Sequence, residues 1–520
     1  MRTSLPARLV KGATVVTMSG LLAAALVSFA APAAHADDTS ASPTGAPEPT
    51  PIGLREAIDR AAAGNIQLLK QNVAIRSAAG SYLSALGQFD VTLAGDASFS
   101  RSVNPPISAT DRNSGSSYVE LLDLSLSRAL ETGGNLTFAL QGRGTTTTTP
   151  FSCGSTATAT SCQIYAPAAT LTFTQPILRG FGREITESNL RKARINKDLA
   201  LLNRQAQASN ALRDTIIAYW ELAYQTQDLE IQRFAERLAR EQLRTAEAQV
   251  QVGRMGELAA AAVHRAIATA AQAEAAAEQS LMGRALDLQR LFGIAVPRGF
   301  VGYRAGDALE ASKREIDVDA ETARAIEASP ALKSIRMGLA LTQTDVRVAL
   351  ESMQPQLNFV GSVSQGGRNE SLSESFHQMT NPHYVEYAAG LNFALPFQNR
   401  AARGTAEIAR AAADAAELDA RDLELQVRDT VARMAAQIRS AGARLEYGRD
   451  AVRFSEDNLK AEMARFQVGS STNNDVLLRQ QELRQAQSSV ARATADLLEA
   501  EVALEALTGD LLETYGITLR

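Results

Sequence analysis

Few residues of this 520-residue chain stand in a pattern that could do covalent chemistry. His377 and His383 lie in a polar stretch with no further ligand at metal-site spacing, which fits solvated loop histidines. Cys153 and Cys162 enclose a Thr/Ser-rich segment. In an exported chain they would staple that loop as a disulfide, with two free thiols as the alternative. No basic residue or histidine stands near them to activate a thiolate. There is no nucleophile elbow, phosphate loop or metal-ligand cluster. The sequence therefore predicts no enzyme, no cofactor and no metal. Asp475 opens a helical stretch, where a carboxylate commonly serves as a helix N-cap.

The leader and the balance of charge come next. Arg2, Arg8 and Lys11 precede an apolar run, and Ala34-His35-Ala36 fits the small-x-small cleavage rule, so residues 1–36 read as a secretory signal. Removing those three bases leaves 49 basic against 57 acidic residues, a net charge of −8. That balance disfavours nucleic acid as a partner. Residues 37–51 have the composition of a disordered linker. Beyond residue 36 no stretch approaches the ~18 apolar residues of a membrane helix, so any further membrane entry must use strands.

The elements that remain fall into a duplicated order. The first unit, 52–318, reads as a helix, a β region at 89–176, a long helix at 184–252, a helix at 257–291 and an equatorial segment. The second, 319–508, reads as a helix, a β region at 357–396, a long helix at 401–467 and a helix at 475–508, before a tail at 509–520. Phe173…Pro176 returns as Phe393…Pro396, Arg213-Asp214-Thr215 as Arg428-Asp429-Thr430, and Gln251-Val252-Gly253 as Gln467-Val468-Gly469. The long helices would span ~100 Å and the short ones about half of that, so two short helices end to end match one long one.

Val427, Val431, Met434, Ile438, Ala441, Leu445, Gly448, Val452, Ser455 and Leu459 are spaced 4, 3, 4, 3, which is a coiled-coil seam. The β regions alternate with period two, as in Leu136, Phe138, Leu140 against Thr137, Ala139, Gln141. The first offers four such segments and the second two, and the additional pair could extend outside the membrane or add barrel strands. Four to six strands are too few for a closed membrane barrel, which needs about eight, so several chains would share one; a soluble β-layer capping the rods is the alternative.

Leu171-Thr172-Phe173-Thr174-Gln175-Pro176-Ile177-Leu178-Arg179-Gly180-Phe181-Gly182, leading into a long helix, resembles the TolC family of outer-membrane efflux proteins. So do the duplicated units, and Val468-Gly469 followed by Asp475-Val476-Leu477 looks like that family's periplasmic helix tip. The resemblance implies an α+β membrane protein: a homotrimer with one outer-membrane β-barrel and a long periplasmic α-helical coiled-coil tunnel. It implies outer-membrane lipid, a periplasmic adaptor and an inner-membrane transporter as partners, in a tripartite efflux pump or type I secretion system. Asp475, with Glu257 near the equivalent place in the first repeat, would then form the tunnel entrance. Val252, Gly253, Val468 and Gly469 would be the adaptor-contacting tips. The family's second aspartate is absent, since that position is Leu478, and Ala259 stands where the first repeat would match Asp475. An exported structural or adhesive coiled-coil surface protein is the competing reading; it leaves the two β regions unexplained.

Overall fold

The computed structural model describes residues 49–105, 107–108, 115–148, 161–251, 257–312 and 314–517. The proposed leader and the linker up to residue 48 lie outside them. The last residues of that linker are not irregular: β1 (Thr50–Ile52) pairs in parallel with β6 (Tyr303–Ala305). Ile52 is buried there, and its apolar side chain anchors the chain against Tyr219 and Phe292.

The first helical stretch is two helices, α1 (Leu54–Gly64) and α2 (Ile66–Leu86). Asn65 is extended, and its Oδ1 accepts from the backbone N–H of Gln67 at 2.9 Å, capping α2. Its Nδ2 donates to the carbonyl of Leu291, the last residue of α5 (Glu257–Leu291). The end of α5 thus meets the start of α2. Gly64 and Gly293 close the junction; a Cβ on Gly64 would lie 2.1 Å from the Phe292 carbonyl oxygen.

Four strands follow α2: β2 (Thr92–Asn104), β3 (Gly115–Ala129), β4 (Asn135–Thr148) and β5 (Ser161–Pro176). Gly180 and Gly182, both at positive φ, turn the chain into the short α3 (Arg183–Thr186) and then α4 (Ser188–Gln251). The long helix therefore begins at Ser188, after a break at Glu187, rather than at 184. At 64 residues it is about 96 Å long.

The second unit repeats this order. Its first helix is also broken, into α6 (Val318–Ala328) and α7 (Pro330–Glu351). A proline disfavours helical geometry at the residue before it and is favoured at a first helical position. Ser329 accordingly leaves the helix and accepts from Leu332 N–H. Then come β7 (Gln356–Gly366), a short helix α8 (Leu372–Met379) inside a stretch that reads as a polar loop, β8 (Val385–Ala394), α9 (Arg400–Gln467) and α10 (Asn473–Thr508). Gly509 at φ 83 ends α10. The tail is not loose, because Leu511 of α11 (Leu511–Thr514) is fully buried.

The seam on α9 does pack. Val427, Val431, Ile438, Ala441 and Leu445 are buried against Ala493, Leu497, Ala500 and Leu504 of α10. Gly448 allows close approach: a Cβ there would sit 2.9 Å from Val490 Cγ2.

The six longer strands form one antiparallel sheet in the order β2-β3-β4-β5-β7-β8. The register puts Leu93, Leu126, Phe138, Leu171, Val363 and Tyr387 in a single row across all six. All six are exposed. The neighbouring row on the opposite face is Thr92, Ser127, Thr137, Thr172, Ser362 and Ala388. One face is therefore apolar and the other bears hydroxyls. Phe99, Tyr118 and Tyr165 stand toward one end of the apolar face, and Phe173, Phe359 and Phe393 toward the other. Among the described residues neither β2 nor β8 has a second strand partner, so the sheet is open.

Candidate functional site

The expected entrance residues sit at the turn between α9 and α10. Gly469 takes a left-handed φ of 77, ends α9, and leaves Val468 79% exposed. Thr472 Oγ1 accepts from Asp475 N–H at 3.3 Å, while Asp475 Oδ2 accepts from Thr472 N–H at 3.1 Å. This is a reciprocal capping box. Thr472 Oγ1 also donates to the same carboxylate at 2.6 Å. These bonds, the Thr472 hydroxyl first and its backbone N–H second, hold the Asp475 carboxyl below the usual carboxylate range. The N-cap is thus Thr472 rather than Asp475; within one chain Asp475 is the ionised third residue of the capping box, bonded through Oδ2.

The turn is tied to the first unit. Gln242 Nε2 of α4 donates to Asn473 Oδ1 at 2.5 Å, and both side chains are buried. Leu238 of α4 packs on Leu459, Phe466, Val476 and Leu483. A cavity of about 240 Å³ separates α10 from α4 and α5, lined by Ala239, Ala266, Leu477, Arg265 and Arg484. Glu257 is the first residue of α5. Its side chain, and the whole of Val252 and Gly253, lie outside the described residues. Cys162 lies in β5 and is disulfide-bonded, and Cys153 also lies outside the described residues.

A charged network that the sequence did not reveal joins four helices further along. Arg492 of α10 donates from Nη1 to Glu221 of α4 at 2.7 Å and from Nε to Asp496 at 2.7 Å. Asp496 also meets Arg444 of α9 at 3.0 Å, and Arg284 of α5 lies 3.7 Å from Glu221. Glu499 is 3.5 Å from Arg492. Burial, and then the neighbouring Glu221 charge, push the Glu499 carboxyl up to about 7. Glu221 Oε2 and Glu499 Oε1 are buried without hydrogen-bond partners. The neutral form of Glu499 is favoured there. The members lie at positions 221, 284, 444, 492, 496 and 499, and only the helix register brings them together.

Among the described residues no group of histidine, cysteine and carboxylate side chains is arranged to hold a metal, and no helix is long and apolar enough to cross a membrane.

The arrangement has known counterparts. The family model for outer membrane efflux proteins matches residues 322–510. No curated protein matches the chain by sequence. Among solved structures, the outer membrane protein VceC of Vibrio cholerae is similar at 16% identity and a TM-score of 0.65, covering 88% of this chain and 96% of its own. The outer membrane channel CmeC of Campylobacter jejuni is similar at 14% identity and 0.64, covering 88% and 86%. CusC, solved in a study of transmembrane channel formation, is similar at 14% identity and 0.65, covering 88% and 91%. The family model for outer membrane efflux proteins thus matches the second unit of the chain, and along nearly its whole described length the chain shares the fold of these channels.

Proposed function

We propose that the protein is the exit duct of a tripartite efflux pump or type I secretion system, residing in the outer membrane and reaching into the periplasm. Three copies share one β-barrel, and their long helices form the tunnel beneath it. The observation that carries this reading is the open six-stranded sheet, with one continuous apolar row and two unpaired edges. An unpaired strand edge in hydrocarbon costs several kcal/mol per orphaned backbone group. Such a sheet in lipid therefore requires further strands from other chains.

In this reading 52–318 and 319–508 are two structural repeats. Val252, Gly253, Val468 and Gly469 form tips that meet a periplasmic adaptor, itself joined to an inner-membrane transporter. Asp475, with Glu257, rings the entrance and favours cations. The capping box fixes where each Asp475 carboxylate stands, so capping and gating are compatible duties. Cys153 and Cys162 form the loop disulfide.

Planar-bilayer recording of the purified oligomer tests this. Stepwise ion current with cation preference is expected. Asp475→Asn, which removes the charge but keeps a side-chain oxygen to accept from the Thr472 N–H, should move the reversal potential in a salt gradient toward zero. A folded oligomer that carries no current overturns the channel. An unchanged reversal potential leaves Asp475 a part of the cap alone.

A further inference from the structure

The β region is where the chain departs from its own duplication. The second unit passes from α7 to α9 through two strands, β7 and β8, and the first passes from α2 to α4 through four. In both units one strand leaves the preceding helix and one leads toward the long helix. By that order β2 corresponds to β7, and β5 to β8. Phe173…Pro176 and Phe393…Pro396 confirm the second correspondence. The surplus is the middle hairpin, β3–β4.

We propose that this hairpin is a barrel-widening insertion: it crosses the membrane with the others, and the β8 edge of one chain pairs with the β2 edge of the next to close an eighteen-stranded barrel. The proposal rests on the trimer reading above, at six strands per chain.

Four observations support it. The hairpin lies inside the sheet, paired with β2 from Thr92–Ser127 to Asn104–Gly115 and with β5 from Asn135–Thr174 to Thr148–Ser161. Its side chains continue both faces. Leu126 and Phe138 extend the apolar row, with Leu124 and Leu140 beside them, while Ser127 and Thr137 extend the hydroxyl row. A hairpin standing in water would have no use for an exposed leucine and phenylalanine at these positions, 44% and 41% accessible. Third, all neighbours in the sheet are antiparallel and their number is even. The β8 edge therefore meets a following β2 edge in antiparallel sense, so a head-to-tail ring closes without a reversed pair. Fourth, β8 has 10 residues and β2 has 13, enough for the ~9–11 of a membrane strand.

Size follows from strand number. With ~4.8 Å between strands and a tilt of ~40°, eighteen strands make a ring about 36 Å across between backbones, and twelve make one of about 24 Å. The hairpin thus turns a narrow barrel into one of porin width, lined largely by small hydroxyl side chains. Restriction on cargo then falls on the helical end of the duct.

The test is single-particle imaging of the full-length protein in nanodiscs, viewed down the barrel, with nitroxide labels on Phe138→Cys and Thr137→Cys. A three-fold ring about 36 Å wide is expected, with the label at 138 relaxed by oxygen and that at 137 by a water-soluble nickel chelate. A three-fold ring about 24 Å wide, or chelate access at both positions, overturns the insertion and leaves the trimer standing. A ring without three-fold symmetry overturns the eighteen-strand count together with the trimer reading. The two labels then still decide whether the hairpin crosses the membrane.

Discussion

Glu499 is a carboxylate whose chemistry is displaced by its surroundings. Burial penalises its charged form and raises its pKa to about 7, above the ordinary carboxylate value of 4.5. The native state therefore binds a proton there that the unfolded chain releases. That contribution is full below about pH 4.5 and is lost as pH rises through 7. Glu499→Gln, which keeps the shape and cannot ionise, should raise the melting temperature at pH 8 and change it little at pH 5, by an amount equivalent to about 1–2 kcal/mol. Equal effects at both values in thermal melts would show that Glu499 is charged throughout. The place of Asp475 at a helix start was legible in the sequence, although the N-cap itself is Thr472, three residues before it. The Glu221–Arg492–Glu499 group was not, since its partners are some 270 residues apart and no local pattern announces them.

At the scale of elements, periodicity carried furthest where one face packs along a whole helix. The seam from Val427 to Leu459 was readable because its spacing reports the buried stripe directly. Its small members mark where backbones come close. Gly448→Leu should push α9 and α10 apart at Val490, costing about 1–3 kcal/mol and lowering the thermal midpoint of the helical region, read by circular dichroism. An unchanged midpoint would mean the seam is loose there. The breaks at Asn65 and Ser329 were harder to see. Each lies in a run that is helical on both sides, and only the junctions with α5 and α10 explain why the chain stops there. The β1–β6 pair was invisible because each strand is three residues long and pairs across about 250 positions. In the sheet, the alternation of each strand could be read singly, but the row from Leu93 to Tyr387 depends on register, which no one segment encodes.

At the scale of the whole molecule, the low aromatic content and abundant alanine suit close-packed rods rather than a large globular core. The rods are built from one long helix beside two shorter ones joined end to end, once in each unit. At one end of them stands an open six-stranded sheet. This open sheet is what the proposed channel function rests on: several copies would share one barrel. Native mass measurement on protein extracted from the outer-membrane fraction tests it most directly. The account predicts an assembly of three times the mass of the mature chain, held in that fraction through osmotic shock. Recovery as a soluble monomer released by the shock would contradict it.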